Sequence, residues 1–273
     1  MASKHYQNGY DALMALPSGY QLLHVSQLDS TNQQAMRMAK DGVRQPHWIL
    51  ADEQTAGRGR RGRHWVSPRG NLMTSLYLPT DMTTEQAGQL AFVAGVALAE
   101  TISHYAAEHR VSLKWPNDVL VNGAKISGIL LETLSGSVAN NVGKLNGLAV
   151  GMGVNLAAHP DDTPYPATSL KALTGNAPEP LAILYRLAHH FDKLLRLHRD
   201  FGFAVILTQW RQWAHNIGQA VMVRLEKQTL EGIFEDIDAD GALILRLAAD
   251  DKMGEKIRIT AGDLFFSEMA NNA

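Results

Sequence analysis

The 273-residue sequence predicts an α+β chain with a small β-barrel at its C-terminal end. Three observations carry that expectation. Short apolar runs with strand character are interspersed with long helical patterns up to about residue 216. An Asn122-Gly123 pair stands between two apolar runs, the strongest short-range signal for a hairpin. From Ala220 onward the texture changes to brief alternating stretches joined by turn residues such as Asp240-Gly241. The predicted organisation is a lead-in over residues 1–19, a large domain over 20–216 and the barrel over 217–273, with the boundary near Asn216-Gly218.

In chain order, Tyr20 to Val25 reads as a first strand. A helix follows from Asp29-Ser30-Thr31-Asn32-Gln33, with Ser30 and Gln33 spaced as a capping box, and ends at Asp41-Gly42. Trp48 to Asp52 is a buried strand, Asn71 to Leu78 another, closed by Pro79. Thr84 to His109, rich in Ala, Leu and Val, suits a central buried helix. The Asn-Gly hairpin joins Val119–Val121 to Ala124–Glu132, and Leu145 to Asn155 is a further strand. Pro178 to about Arg199 reads as an amphipathic helix. Barrel strands are expected at Val221–Arg224, Leu230–Glu235, Ala242–Leu247 and Lys256–Ile259.

Composition excludes several classes. Without cysteine there are no disulfides, thiolate nucleophiles or cysteine-bound metals. No apolar run approaches the roughly 20 residues of a membrane span, and Met1 to Leu16 lacks a signal-peptide core, so a cytoplasmic enzyme or binding protein is expected. His189-His190 lacks the i, i+4 spacing of a helical metal pair.

The densest chemical signal is Gly57-Arg58-Gly59-Arg60-Arg61-Gly62-Arg63, followed by His64-Trp65. Four guanidinium groups cannot be buried without water or anions. Arginine's planar fork matches carboxylate and phosphate oxygens, and the glycines let backbone approach a ligand closely. The reading is a mobile loop that closes over a small, multiply anionic ligand. Gly57, Gly59 and Gly62 formally match G-x-G-x-x-G, but that fingerprint needs a following helix, and Trp65-Val66-Ser67-Pro68 follows here. A nucleic-acid segment is disfavoured by a net charge of −2 and by the absence of aromatic interleaving.

A second constellation is Lys114-Trp115-Pro116-Asn117-Asp118, with Lys125 just past the hairpin turn. If the hairpin forms, Asp118 and Lys125 lie on neighbouring strands and can face one ligand. Taken with the arginine loop, the inventory suits nucleotide phosphates plus a carboxylic acid. No Walker A loop is present.

These residues resemble the biotin protein ligase (biotin–[acetyl-CoA-carboxylase] ligase) family over about residues 20–270. The resemblance rests on Asp29-Ser30-Thr31-Asn32, on Gln54 to Trp65, and on Lys114 to Asp118 with Lys125-x-x-Gly128-Ile129-Leu130; Gly151-Met152-Gly153-Val154-Asn155 adds a weaker match. It implies a mixed-sheet catalytic domain of the biotin/lipoate ligase type followed by an SH3-like barrel. The implied reaction forms biotinyl-5′-AMP from biotin and MgATP, then transfers biotin to a lysine of a biotin carboxyl carrier protein or domain of acetyl-CoA carboxylase. By the same resemblance, Ser30, Thr31, Asn32, Gln54, Arg58, Gly59, Arg60 and Lys125 hold biotin. Arg58, Arg60, Arg61, Arg63, Trp65, Lys114, Asn117 and Asn155 serve ATP, with Trp65 stacking on adenine. Lys125, Arg60 and Asp118 carry the chemistry, and Asp118 is the candidate for Mg²⁺. Arg258 is the barrel residue that could reach the site.

The segment before the first strand is too short for the N-terminal helix-turn-helix domain of bifunctional members, so no DNA partner is expected; nor is a membrane. An exposed sheet edge makes a homodimer an expectation. The alternatives are a lipoate or octanoate ligase of the same fold, and a biotin- or nucleic-acid-binding module without turnover.

Overall fold

The computed structural model describes residues 15–135, 144–163, 165–248 and 254–266. The expected lead-in lies mostly outside the described residues. A seven-stranded sheet dominates, in the order β1-β2-β3-β7-β6-β5-β4. Its strands are β1 (Gln21–Val25), β2 (His47–Ala51), β3 (Leu72–Leu78), β4 (Val111–Lys114), β5 (Asp118–Val121), β6 (Ala124–Ser135) and β7 (Leu145–Val154). β1 and β2 run parallel and every other neighbouring pair is antiparallel, so the sheet is mixed.

Strand periodicity assigns the two faces. Trp48 and Leu50 of β2, Leu72 and Leu76 of β3 and Val150 of β7 join the main core. That core is built with α2 (Thr84–Tyr105) and α4 (Pro180–Phe201). Residues of opposite parity, Ile49, Tyr77 and Ala149, pack under Ala35, Met38 and Ala39 of α1 (Thr31–Lys40). α2 buries residues on all sides, as its composition anticipates. A capping box between Thr83 and Gln86 starts it, and it ends at Tyr105, short of the expected His109.

The start of α1 corrects one expectation. Ser30 is its N-cap, but its side chain makes no capping hydrogen bond. Two other acceptors serve the first amides: the Asp29 carboxylate takes the Ser30 N–H at 2.7 Å, and Gln54 Oε1 takes the Thr31 N–H at 2.7 Å. Asp29 thus takes the Ser30 amide that the Gln33 side chain would accept in a capping box, and Gln54 adds an acceptor for the next amide. Arg37 holds the Asp29 carboxyl down to a pKa of about 2.

The Asn122-Gly123 hairpin forms as expected, with φ of 51° and 83° at its two turn residues. A register shift follows, so Leu120 pairs with Lys125 while Asp118 pairs with Gly128. Two short helices, α3 (Leu170–Thr174) and α5 (Phe203–Trp213), went unread; α5 is separated from α4 only by Gly202 at φ 80°.

Asn216 and Gly218 both take positive φ where the chain leaves α5. The second sheet is five-stranded, antiparallel and of the SH3-like type, in the order β11-β10-β9-β8-β12. It comprises β8 (Ala220–Arg224), β9 (Thr229–Ile237), β10 (Leu243–Leu247), β11 (Lys256–Ile259) and β12 (Asp263–Phe266). The last of these strands was not anticipated. It brings its first residue, Asp263, back to the arginine loop.

Candidate functional site

Residues 57–65 form a small hairpin. Gly59 N–H donates to the Arg63 carbonyl at 2.7 Å and Trp65 N–H to the Gly57 carbonyl at 3.0 Å. A single 3₁₀ turn, Arg60–Gly62, makes the bend, with Arg61 and Gly62 at φ 55° and 72°. No helix follows before β3, in keeping with the rejection of a dinucleotide fingerprint.

The hairpin overhangs a cavity of about 310 Å³ on the sheet face that α1 only partly covers. Every anticipated site residue lines it except Arg61 and the barrel's Arg258. The floor is made of glycines for a steric reason. A Cβ on Gly151 would lie 2.3 Å from Asn32 Oδ1, and one on Gly153 would lie 2.5 Å from Trp65 Nε1. With Ala149 under α1, β7 thus presents a strip of small residues on which α1, Asn32 and Trp65 rest in turn.

One end of the cavity is a hydrogen-bond network of amides and hydroxyls, closed at its edge by one ion pair. Ser75 Oγ lies 2.6 Å from Asn32 Oδ1 and 2.7 Å from Thr31 Oγ1. A hydroxyl has one proton, and the Asn32 carbonyl oxygen can only accept, so Ser75 donates to Asn32. Asn32 Nδ2 in turn donates to the Leu130 carbonyl at 3.1 Å and to Glu132 Oε2 at 2.8 Å. Arg58 pairs with the other oxygen of Glu132 at 2.9 Å. Gln54 Nε2 donates to Ser67 Oγ at 3.1 Å, and Ser67 Oγ to the Trp65 carbonyl at 3.0 Å. Locked amides and hydroxyls of this kind fix a uniquely shaped polar pocket.

The other end is cationic. Lys125 Nζ lies 2.6 Å from Asp118 Oδ1, an ion pair between two largely buried side chains. The same ammonium lies over the Trp65 and Tyr165 rings at 5.6 and 5.7 Å. Lys114 is buried and sits over Tyr165 at 4.9 Å and Phe265 at 5.4 Å; burial pushes its pKa down. Burial also lowers the Arg60 pKa, while Arg60 Nη1 donates to Asn117 Oδ1 at 3.0 Å. Asn117 is anchored by donating to the Ile129 carbonyl at 2.8 Å, and buried Asn155 by donating to the Thr168 carbonyl at 3.0 Å. Desolvated cations of this density suit a ligand that carries several negative charges. Among the described residues no group of three or more His, Asp and Glu is arranged to hold a metal by itself.

The barrel's contribution differs from the anticipated one. Arg258 pairs with Asp238 and with Asp240, the latter at 2.6 Å, within its own sheet and away from the cavity lining. Asp263, Leu264 and Phe265 line the cavity instead. Tyr165, Ser75 and Glu132 were also missed. Each is a lone polar or aromatic residue without a local pattern, and its place follows only from tertiary contacts.

The model of the biotin/lipoate A/B protein ligase family matches residues 25–155, and that of the biotin protein ligase C terminal domain matches residues 217–267. The chain is 40% identical over 248 residues to the biotin–[acetyl-CoA-carboxylase] ligase of Paracoccus denitrificans, covering 89% of this chain and 99% of that protein. It is 32% identical over 232 residues to the bifunctional ligase/repressor of Bacillus subtilis, covering 83% of this chain and 70% of that one. Among solved structures, the biotin protein ligase from Aquifex aeolicus in complex with biotin and ATP is similar, with a TM-score of 0.74 at 25% identity. That match covers 90% of this chain and 99% of the other.

Proposed function

The chain belongs to the biotin protein ligase family, and from that premise we propose how its cavity divides the work. The protein is an ATP-dependent ligase that joins biotin to a carboxylase. In the first step a biotin carboxylate oxygen attacks the α-phosphorus of ATP and pyrophosphate leaves. In the second, a lysine amine of the carrier domain attacks the carbonyl of the mixed anhydride and AMP leaves. The first step brings two anions together, so fixed cations do most of the electrostatic work.

We assign the amide and hydroxyl network around Ser30, Thr31, Asn32 and Gln54 to the biotin head group, and Arg58, Gly59 and Arg60 to the loop above it. Lys125 stands between the biotin carboxylate and the α-phosphate and stabilises the charge that builds there. Arg63, Lys114 and Asn117 serve the phosphates, and Trp65 and Asn155 the adenine. Arg61 acts on the loop rather than in the cavity. Mg²⁺ would come with the nucleotide and would offset phosphate charge in the first step. Asp118, which lines the cavity, is a protein carboxylate that would help hold it, sharing its charge between the ion and the ion pair with Lys125. The acceptor is a biotin carboxyl carrier domain of acetyl-CoA carboxylase, and the setting is cytoplasmic; no helix among the described residues is long and apolar enough to cross a membrane. β1, an edge strand, is the place for a second copy to pair.

The observation that carries this reading is the cavity itself, with an amide and hydroxyl network at one end and buried or half-buried cations at the other. The test is biotin-dependent exchange of pyrophosphate into ATP, with lipoate and octanoate in parallel. Exchange with biotin alone is expected. Exchange with lipoate would move the chain to the sister activity, and binding of biotin without exchange would refute turnover. Lys125→Ala should lower the exchange rate by about 10²–10³-fold. Adenylation at the wild-type rate would remove Lys125 from its role.

A further inference from the structure

We propose that Asp263 is a positioning residue of this ligase: presented by the C-terminal sheet, its carboxylate gathers Arg60, Arg61 and Arg63 and holds the arginine hairpin over the cavity before nucleotide arrives. The nucleotide part of this statement rests on the functional reading above. Asp263 opens β12, where it pairs with Arg224 of β8. Its side chain is only 12% exposed, and all three guanidinium groups converge on it. Arg63 makes the closest contact, Arg61 Nη1 lies at 3.1 Å and Arg60 Nη1 at 3.9 Å. Arg60 also donates to the neighbouring Gly262 carbonyl at 3.4 Å.

Three like charges within four residues repel, and a glycine-rich hairpin offers little apolar burial to hold them together. One carboxylate relieves that repulsion without cancelling the charge. Three guanidinium groups and one carboxylate (+3 − 1) leave the cluster at +2. The hairpin is therefore ordered while remaining attractive to a polyphosphate. Arg61 fits this division: it does not line the cavity, and its ion pair is with Asp263. The barrel's contribution to the site is thus to set the population of closed loop, and the apparent affinity for nucleotide scales with that population.

The test compares wild type with Asp263→Asn and Asp263→Glu. Trypsin nicking at the loop arginines, without ligand, should be about tenfold faster in Asp263→Asn, because cleavage follows the open population. In pyrophosphate exchange its KM for MgATP should rise, by a smaller factor because affinity follows the closed fraction and cleavage the open one, while kcat stays within about threefold, since bound nucleotide closes the loop in either protein. Asp263→Glu should restore most of both. A fall in KM would mean that Asp263 chiefly repels nucleotide, and unchanged nicking would mean that it holds nothing; either result overturns the proposal. Should Asp263→Asn fail to fold, hydrogen exchange of wild-type amides 58–64 decides. Exchange should accelerate between low salt and about 1 M salt as the ion pairs are screened, while β3 amides stay protected; equal protection in both overturns it. If wild type shows no biotin-dependent exchange, the ligase reading falls, and nicking and amide exchange still report on the latch.

Discussion

Asn32 and Gly151 form a pair in which one residue exists to make room for the other. Asn32 is 3% exposed and uses both ends of its amide, accepting from Ser75 and donating to Leu130 and Glu132. It can do so only because the strand beneath it carries no Cβ. Gly151→Ala should therefore displace the amide, break part of the network and destabilise the protein by about 1–3 kcal/mol. In an Asn32→Ala background the same substitution should cost less than about 1 kcal/mol, because the clashing atoms are gone. Urea unfolding of the four proteins measures the cycle, and additive losses would show that Gly151 matters for another reason. Asn32 was legible in the sequence as a candidate site residue, and the glycine run only as part of a weaker match to the family. Their mutual fit was not, because it depends on which face of β7 each glycine occupies.

Elements deliver the rest of the site, and the junction of α5 with β4 has a pH signature of its own. His215 follows α5, its N–H donates to the Leu113 carbonyl at 2.8 Å, and its Nδ1 lies 3.1 Å from Ser112 Oγ. Burial first, then the charges of Arg110 and Lys114, depress its pKa from 6.5 to about 4. Between those values the unfolded chain binds a proton that the folded chain refuses, so stability falls as pH drops from about 6.5 to about 4 and levels off below. Discounted for partial exposure, the loss attributable to His215 is about 1–2 kcal/mol. Urea titrations at pH 7 and pH 4.5 should give a smaller pH dependence for His215→Gln than for wild type; identical dependence would remove His215 from the account. The contrast between elements explains what could be read in advance. The Asn122-Gly123 hairpin carries its turn chemistry in two adjacent residues and was legible. β12 is four residues long, and the hydrogen bond of Asp263 to Arg63 spans 200 positions, so no local pattern announces it. α5 was hidden for a different reason: it starts after Gly202 with no side-chain cap to announce it, so the helical reading ends with α4 near Arg199.

At the scale of the molecule, the two sheets share one apolar core. Val221, Val223, Phe234 and Leu243 of the small sheet belong to the same cluster as Phe92 of α2 and Trp210 of α5. Phe92 meets Phe203 edge-on at 5.2 Å and Trp210 at 5.4 Å. Trp115, from the same run as Lys114 and Asp118, donates its indole N–H to the Gly241 carbonyl at 3.0 Å. The run that supplies the cationic end of the site is therefore tied to the barrel as well. A sheet of roughly 50 residues buries too little surface to be secure alone, and this one borrows part of its core from the larger domain. The expectation is a single cooperative transition: far-ultraviolet circular dichroism and tryptophan fluorescence should give coincident urea curves, with equal calorimetric and van't Hoff enthalpies. Gly241 is the place to stress that arrangement. Its φ is 89°, and a Cβ there would lie 2.7 Å from Phe92 Cε2. Gly241→Val should cost about 3 kcal/mol or more through backbone strain and overpacking together, and should shift both probes equally. If the fluorescence and dichroism curves separate, the barrel unfolds on its own. Asp263 would then leave the arginine hairpin before the catalytic sheet melts, and exchange activity would disappear at lower urea than the bulk of the secondary structure. With one shared core, activity and secondary structure should instead be lost together.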